Sequence, residues 1–273
     1  MKILRLVLLG LAALAGIVAG TALFQKAVQR ESPYASLTAT AIPLAAGGAS
    51  DSEAVRRIFQ NTVKGAPEYA DFFDRFKAAF PAEYEAFLKS VAERSAASGE
   101  IGSADLLLAE AVRTLRLSRG VLAANAGQPA LERIFDLQLA MLSALAVKDP
   151  RLCAEYLNGG ESSGYFEFAA ENRKLVAKVA NAGIDAILDG ALKQVHRDTP
   201  TEKDFDAVEV SLRSKGLGSA EVEALLDGTV SNPPVGNEKM CRAGQVYLET
   251  LATMPEEVRL RIYGLAAGLM ARY

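Results

Sequence analysis

Tryptophan is absent from this 273-residue chain, histidine occurs once, cysteine twice, and aromatic residues make up only 7%. Each scarcity removes a class of chemistry. A zinc site needs about four ligands, and His196 with Cys153 and Cys241 falls short unless carboxylates join them. A redox dithiol more typically appears as C-x-x-C, a spacing that does not occur. Neither G-x-S-x-G nor H-E-x-x-H is found, and no glycine-rich phosphate loop. No stretch shows sustained two-residue alternation of β-branched residues, so a sheet is not expected. No catalytic residue, metal site or cofactor is expected.

What is present is helix-forming. Alanine and leucine dominate, and both favour helices. Thirty Lys and Arg against 33 Asp and Glu give a net charge of −3. A mildly acidic body is a poor nucleic-acid binder, which usually needs a basic face. Half of the residues are hydrophobic, enough to bury a real core.

The N-terminus carries the clearest signal. Lys2 and Arg5 precede an uncharged run from Leu6 to Phe24, 19 residues and about the length that crosses a hydrocarbon core as a helix. Two readings compete. Gly20 and Ala22 supply the small residues of a cleaved secretory signal. The full run to Phe24 fits an uncleaved single-pass anchor, which its length favours. Either places the body across the membrane, in the periplasm of a bacterial inner membrane. Gly16 and Gly20 form a small-xxx-small pair that would let two such helices meet as a homodimer; glycine is also common in any signal sequence.

The expected organisation is therefore an anchor or signal over residues 1–25, a flexible linker over 26–49, and an all-helical extracytoplasmic domain over 50–273. The linker reading rests on two prolines, a Gly-Gly pair and scattered Ser and Thr. About eight to ten helices are expected, in an irregular multi-helix bundle. Ser50 with Glu53 and Thr201 with Asp204 mark helix starts, as do Ser103 and Asp149-Pro150. Pro67, Pro81, Pro129 and Pro255 mark starts or restarts. One helix is expected through residues 103–126, forming a long antiparallel hairpin with the next. Another is expected from about Tyr165 to Val195, with Gly183 and Gly190 as weak points.

Cys153 and Cys241 are expected to form a disulfide, because an even count beyond a membrane-targeting segment favours pairing. Two buried free thiols are the alternative. His196 reads as a residue near a helix C-terminus, and Arg113, Arg116 and Arg119 as a solvated basic strip.

Glu161-Ser162 resembles the catalytic Glu-Ser pair of the lytic transglycosylases. The likeness implies a cell-envelope enzyme acting on glycan, with Glu161 as general acid. It covers two residues, and the Gly-Leu-Met-Gln segment of that family is missing. The competing reading is a helix-capping turn ahead of Tyr165. The leading expectation is a membrane-tethered binding or scaffold domain without catalytic activity, engaging an unknown envelope protein. An exported soluble binding protein is the variant that follows if the signal is cleaved.

Overall fold

The computed structural model describes residues 49–160 and 162–272. The apolar run Leu6–Phe24, the Gly16 and Gly20 pair, the linker up to residue 48 and Glu161 lie outside the described residues. What is described is all helical, with twelve α-helices and no strand. We number the helices in chain order: α1 Ala49–Lys64, α2 Ala70–Ala79, α3 Pro81–Ser98, α4 Ala104–Arg119, α5 Gln128–Lys148, α6 Pro150–Leu157, α7 Ser163–Glu171, α8 Arg173–Lys193, α9 Glu202–Ser214, α10 Ser219–Asp227, α11 Asn237–Thr253 and α12 Glu256–Met270. Two 3₁₀ segments, Pro67–Tyr69 and Gly120–Asn125, connect them.

Twelve exceeds the eight to ten expected, and local polar chemistry accounts for one of the added breaks. The pattern from Tyr165 to Val195 is split at Asn172, whose side-chain amide donates to the Phe168 carbonyl (2.9 Å). That bond satisfies a carbonyl at the end of α7 and lets the chain restart at Arg173. Other starts fall where the sequence marks them. Leu106 N–H donates to Ser103 Oγ, and Thr201 with Asp204 completes a reciprocal capping box. Asp149 caps α6 with Pro150 in the first turn, and Pro255 precedes α12.

The aromatic side chains are few but gathered. Phe59, Phe72, Phe73, Phe76, Tyr84 and Phe87, from α1, α2 and α3, are all buried and meet mostly edge to face. Such pairs add about 0.5–1.5 kcal/mol each beyond area burial. They build the N-terminal end of the core.

The expected hairpin of α4 with α5 does not form. Helix α4 ends at Arg119, and residues 120–125 tighten into 3₁₀. This segment is the structural centre of the domain. Helices α8 and α12 both pack against it, while α5 packs against α6, α8 and α11. The approach is close because the contact positions are small. A Cβ placed on Gly190 of α8 would lie 1.9 Å from the Leu122 carbonyl oxygen. One on Gly264 of α12 would lie 3.2 Å from Ala124 O, and one on Gly120 2.9 Å from Ala271 Cβ.

Irregular backbone held this tightly must still place its polar groups. Arg197 donates to Ala124 O (3.1 Å) and Ala126 O (2.5 Å). Val195 N–H donates to Asn125 O (2.9 Å), and Gly127 N–H donates to Asp189 (2.6 Å). Hydrogen bonding to Lys193 holds Asp189 below the usual carboxylate range, with the Gly127 amide helping against the cost of burial. The chain just beyond α8 thus folds back and clamps the segment that α8 covers.

The two glycines of α8 separate local from tertiary cost. Gly190→Ala must move backbone, and we expect a loss of about 3 kcal/mol or more. Gly183 has nothing within 4 Å of an added Cβ. Gly183→Ala should stabilise by about 0.5–1 kcal/mol through helix propensity. Urea unfolding of both variants measures the contrast, and equal effects would mean that the close approach at Gly190 is not limiting.

Candidate functional site

The first candidate is the corner around Cys153. Cys153 stands in the first turns of α6 and Cys241 in those of α11. The two sulfurs are bonded across 88 positions, with Cα atoms 5.4 Å apart, within the range a disulfide spans. Both residues are buried. Leu157 of α6 lies over Gly244 of α11, where a Cβ would come within 2.5 Å of its Cδ1. Tyr156 faces elsewhere: its hydroxyl donates to Gln138 of α5 (2.7 Å), and its ring stacks on Tyr165 of α7. The corner joins α5, α6, α7 and α11 through one covalent tie and close packing.

Next to Glu161, Ser162 is the N-cap of α7, accepting from Tyr165 N–H and donating to Glu155 (2.8 Å). This is the capping turn ahead of Tyr165. His196 is exposed on the loop after α8, which ends at Lys193, three residues short of it. The arginine strip is not uniformly solvated, because Arg119 pairs with Glu83 of α3 and Arg116 is half-buried. Among the described residues no group of three or more His, Cys, Asp and Glu could hold a metal ion.

Two buried carboxylates organise ionic clusters that the sequence reading did not foresee. Asp105 is 5% exposed; it accepts from Tyr69 Oη (2.7 Å) and from Arg173 in a two-pronged contact (3.1 and 3.1 Å). Burial, helped by this hydrogen bond, pushes the Tyr69 phenol far above its ordinary pKa, so it stays a donor. Asp204 accepts from Arg261 Nε and Nη2 (3.1 and 2.8 Å) while completing the cap of α9. The Arg261 hydrogen bond holds the Asp204 carboxyl below its ordinary value, with the Thr201 bonds opposing burial. A lowered folded-state pKa means that the stabilisation is present above the unfolded value and is lost as pH falls through the folded one. Both clusters are closed, with donors and acceptors spent on each other.

Two clefts remain. One, ≈ 350 Å³, lies beside the start of α5, and its two cations Arg197 and Arg261 are already committed as described. The other, ≈ 470 Å³, runs along α8 between α2 and α5. Its floor includes Ala177, Ala182 and Asn181. Arg75 of α2 is anchored there by Asn181 and Asp185. Arg133 of α5 and Lys174 and Lys178 of α8 also line it, and none of the three has a side-chain partner among the described residues. Glu68 and Asp71 stand among the same lining residues. Of the two clefts, this is the one with uncommitted cations. The sequence hints at it only through the i,i+4 spacing of Lys174 and Lys178. No protein family, curated protein or solved structure matches the chain.

The covalent tie at the corner has a measurable weight. Closing a loop of 88 positions restrains the unfolded chain by about 4–5 kcal/mol in the chain-entropy model. Reduction should therefore lower Tm by roughly 10 °C in a domain of this size. Non-reducing peptide mapping should recover Cys153 linked to Cys241. Free thiols in protein taken from its native compartment would contradict the pairing.

Proposed function

We propose that the chain is a membrane-tethered extracytoplasmic domain that binds a partner or scaffolds an assembly in the cell envelope, without catalysis of its own. The observation that carries this reading is the bond between Cys153 and Cys241. Structural disulfides persist in oxidising compartments and are rare where thiols are kept reduced. The uncharged run Leu6–Phe24 behind Lys2 and Arg5 supplies the route to such a compartment. A domain made almost wholly of packed helices with spent ionic clusters suits a rigid binding body. Its recognition surface is then the α8 cleft, where cationic side chains are uncommitted. The partner is an envelope component, with nucleic acid disfavoured by the net charge of −3.

The glycan-enzyme alternative rests on Glu161 alone. Ser162, the other half of its motif, is used as a helix cap.

A phosphatase that is active only outside the cytoplasm, fused after Tyr273, reads the topology directly. Strong activity is expected, together with recovery of the fusion in the membrane fraction. A well-expressed but inactive fusion would remove the extracytoplasmic assignment. An active fusion found only in the soluble fraction would convert the tethered domain into an exported one.

A further inference from the structure

We propose that the cleft along α8 is a binding site for a phosphate-bearing anion, gripped by Arg133, Lys174 and Lys178. This names the ligand chemistry of the binding domain proposed above and rests on that reading for its setting. The geometry is that of a groove. From Lys174 to Asp185 the floor helix rises about 16 Å at 1.5 Å per residue. Helix α5 brings Arg133 to it and α2 brings Arg75, and α8 packs against both.

The charges around the groove divide into spent and unspent. Arg75 is held by Asp185 and Asn181, and Asp71 lies 3.9 Å from the same guanidinium. That group sets one cation against two carboxylates, a net charge of −1, and braces the wall. Arg133, Lys174 and Lys178 have no carboxylate within ion-pair distance among the described residues. Lys174 and Lys178 sit one turn apart on the same helix face, where like charges oppose each other by a few tenths of a kcal/mol. Glu68 is the remaining carboxylate of the lining, which therefore holds four cations against three carboxylates, a net charge of +1. On a chain of net charge −3 this is a local reversal of sign.

A ligand that satisfies three cations from two helices needs several anionic oxygens pointing in different directions. Inorganic phosphate supplies four and a phosphodiester two non-bridging with two weaker ester oxygens, arranged tetrahedrally, where a carboxylate supplies two in one plane. Lysine suits it as a point charge and arginine as a planar fork. The buried Ala177 and Ala182 leave the groove floor uncluttered, so the volume of ≈ 470 Å³ admits more than the phosphate itself. A phospholipid headgroup and a free phosphate share this chemistry.

The test is isothermal calorimetry on the full chain in neutral detergent micelles. The two probes are inorganic phosphate and glycerophosphoglycerol, the soluble headgroup of an anionic phospholipid. Wild type should show saturable one-site binding to at least one of them. Preference for the diester assigns the site to a lipid headgroup, and preference for inorganic phosphate assigns it to a free anion. Lys178→Gln should weaken binding about fivefold, and the triple change R133Q, K174Q and K178Q about 100-fold. Glu68→Gln should tighten it by about twofold or more, because it removes the opposing carboxylate. Unchanged circular dichroism and Tm would show that the variants fold. The site is overturned if neither probe binds wild type at millimolar concentration, or if the triple variant binds as wild type does. Failure of the topology reporter with intact anion binding removes the membrane setting and leaves the site; the reverse removes the site alone.

Discussion

The contact between Gly190 and the Leu122 carbonyl sets the geometry of the domain. Helices usually pack through side chains at interaxial distances of 8–10 Å. Here a helix meets an irregular segment with no side chain between them at that point. The absent Cβ lets residues 120–126 lie against α8, and Gly120 and Gly264 let the same segment lie against α12. Helices α8 and α12 pack directly on that thread, and α5 packs on both of them. Because the thread is not a regular helix, its amides and carbonyls need partners from elsewhere. Arg197, Val195 and Asp189 supply them from α8 and the chain that follows it. Burial pulls the pKa of Arg197 down while Asp189 opposes that, but a guanidinium remains charged at any ordinary pH.

Around this centre, the ties that join distant parts of the chain are polar or covalent rather than merely apolar. Asp105 links α4 to the Pro67–Tyr69 turn and to α8 through Tyr69 and Arg173. Asp204 links α9 to α12 through Arg261. The disulfide links α6 to α11. Each fixes the relative placement of two helices with a contact that tolerates little displacement, since a buried carboxylate without its partner is costly. The α8 cleft inherits this rigidity. Lys174 follows Arg173, which is locked on Asp105, and Arg75 is braced across the floor. The unspent cations therefore stand on fixed ground.

Much of the helical order was legible because helix ends are set by neighbours in sequence. Ser103, Thr201 with Asp204, Asp149-Pro150 and Pro255 act within a turn of their own position, and the structure uses them as read. Two cysteines allow one intrachain pairing, so Cys153 with Cys241 followed from arithmetic once an oxidising compartment was expected. What failed was whatever depends on partners far along the chain. Gly190 read as a weak point in a helix, although it is the position where the helix must be bare. The run through 103–126 read as one helix because its apolar spacing continues past Arg119; only the packing of α8 and α12 makes the 3₁₀ turn there worthwhile. Asn172 did carry a local signal, a short amide able to bond the carbonyl four residues back. The cleft was nearly invisible, since its cations come from α2, α5 and α8 and meet only in the fold.

Because α8 and α12 both pack on the threaded segment, that segment and its clamp should form the most stable unit of the domain. Native-state hydrogen exchange tests it at the amides of Ala126, Gly127 and Val195, whose bonds hold the thread in place. These amides should exchange only through global unfolding, with an opening free energy equal to that of the whole domain and the same denaturant dependence. Exchange at these positions through local fluctuations, while amides in the middle of α11 stay protected, would show that the thread is peripheral and that the domain is held together elsewhere.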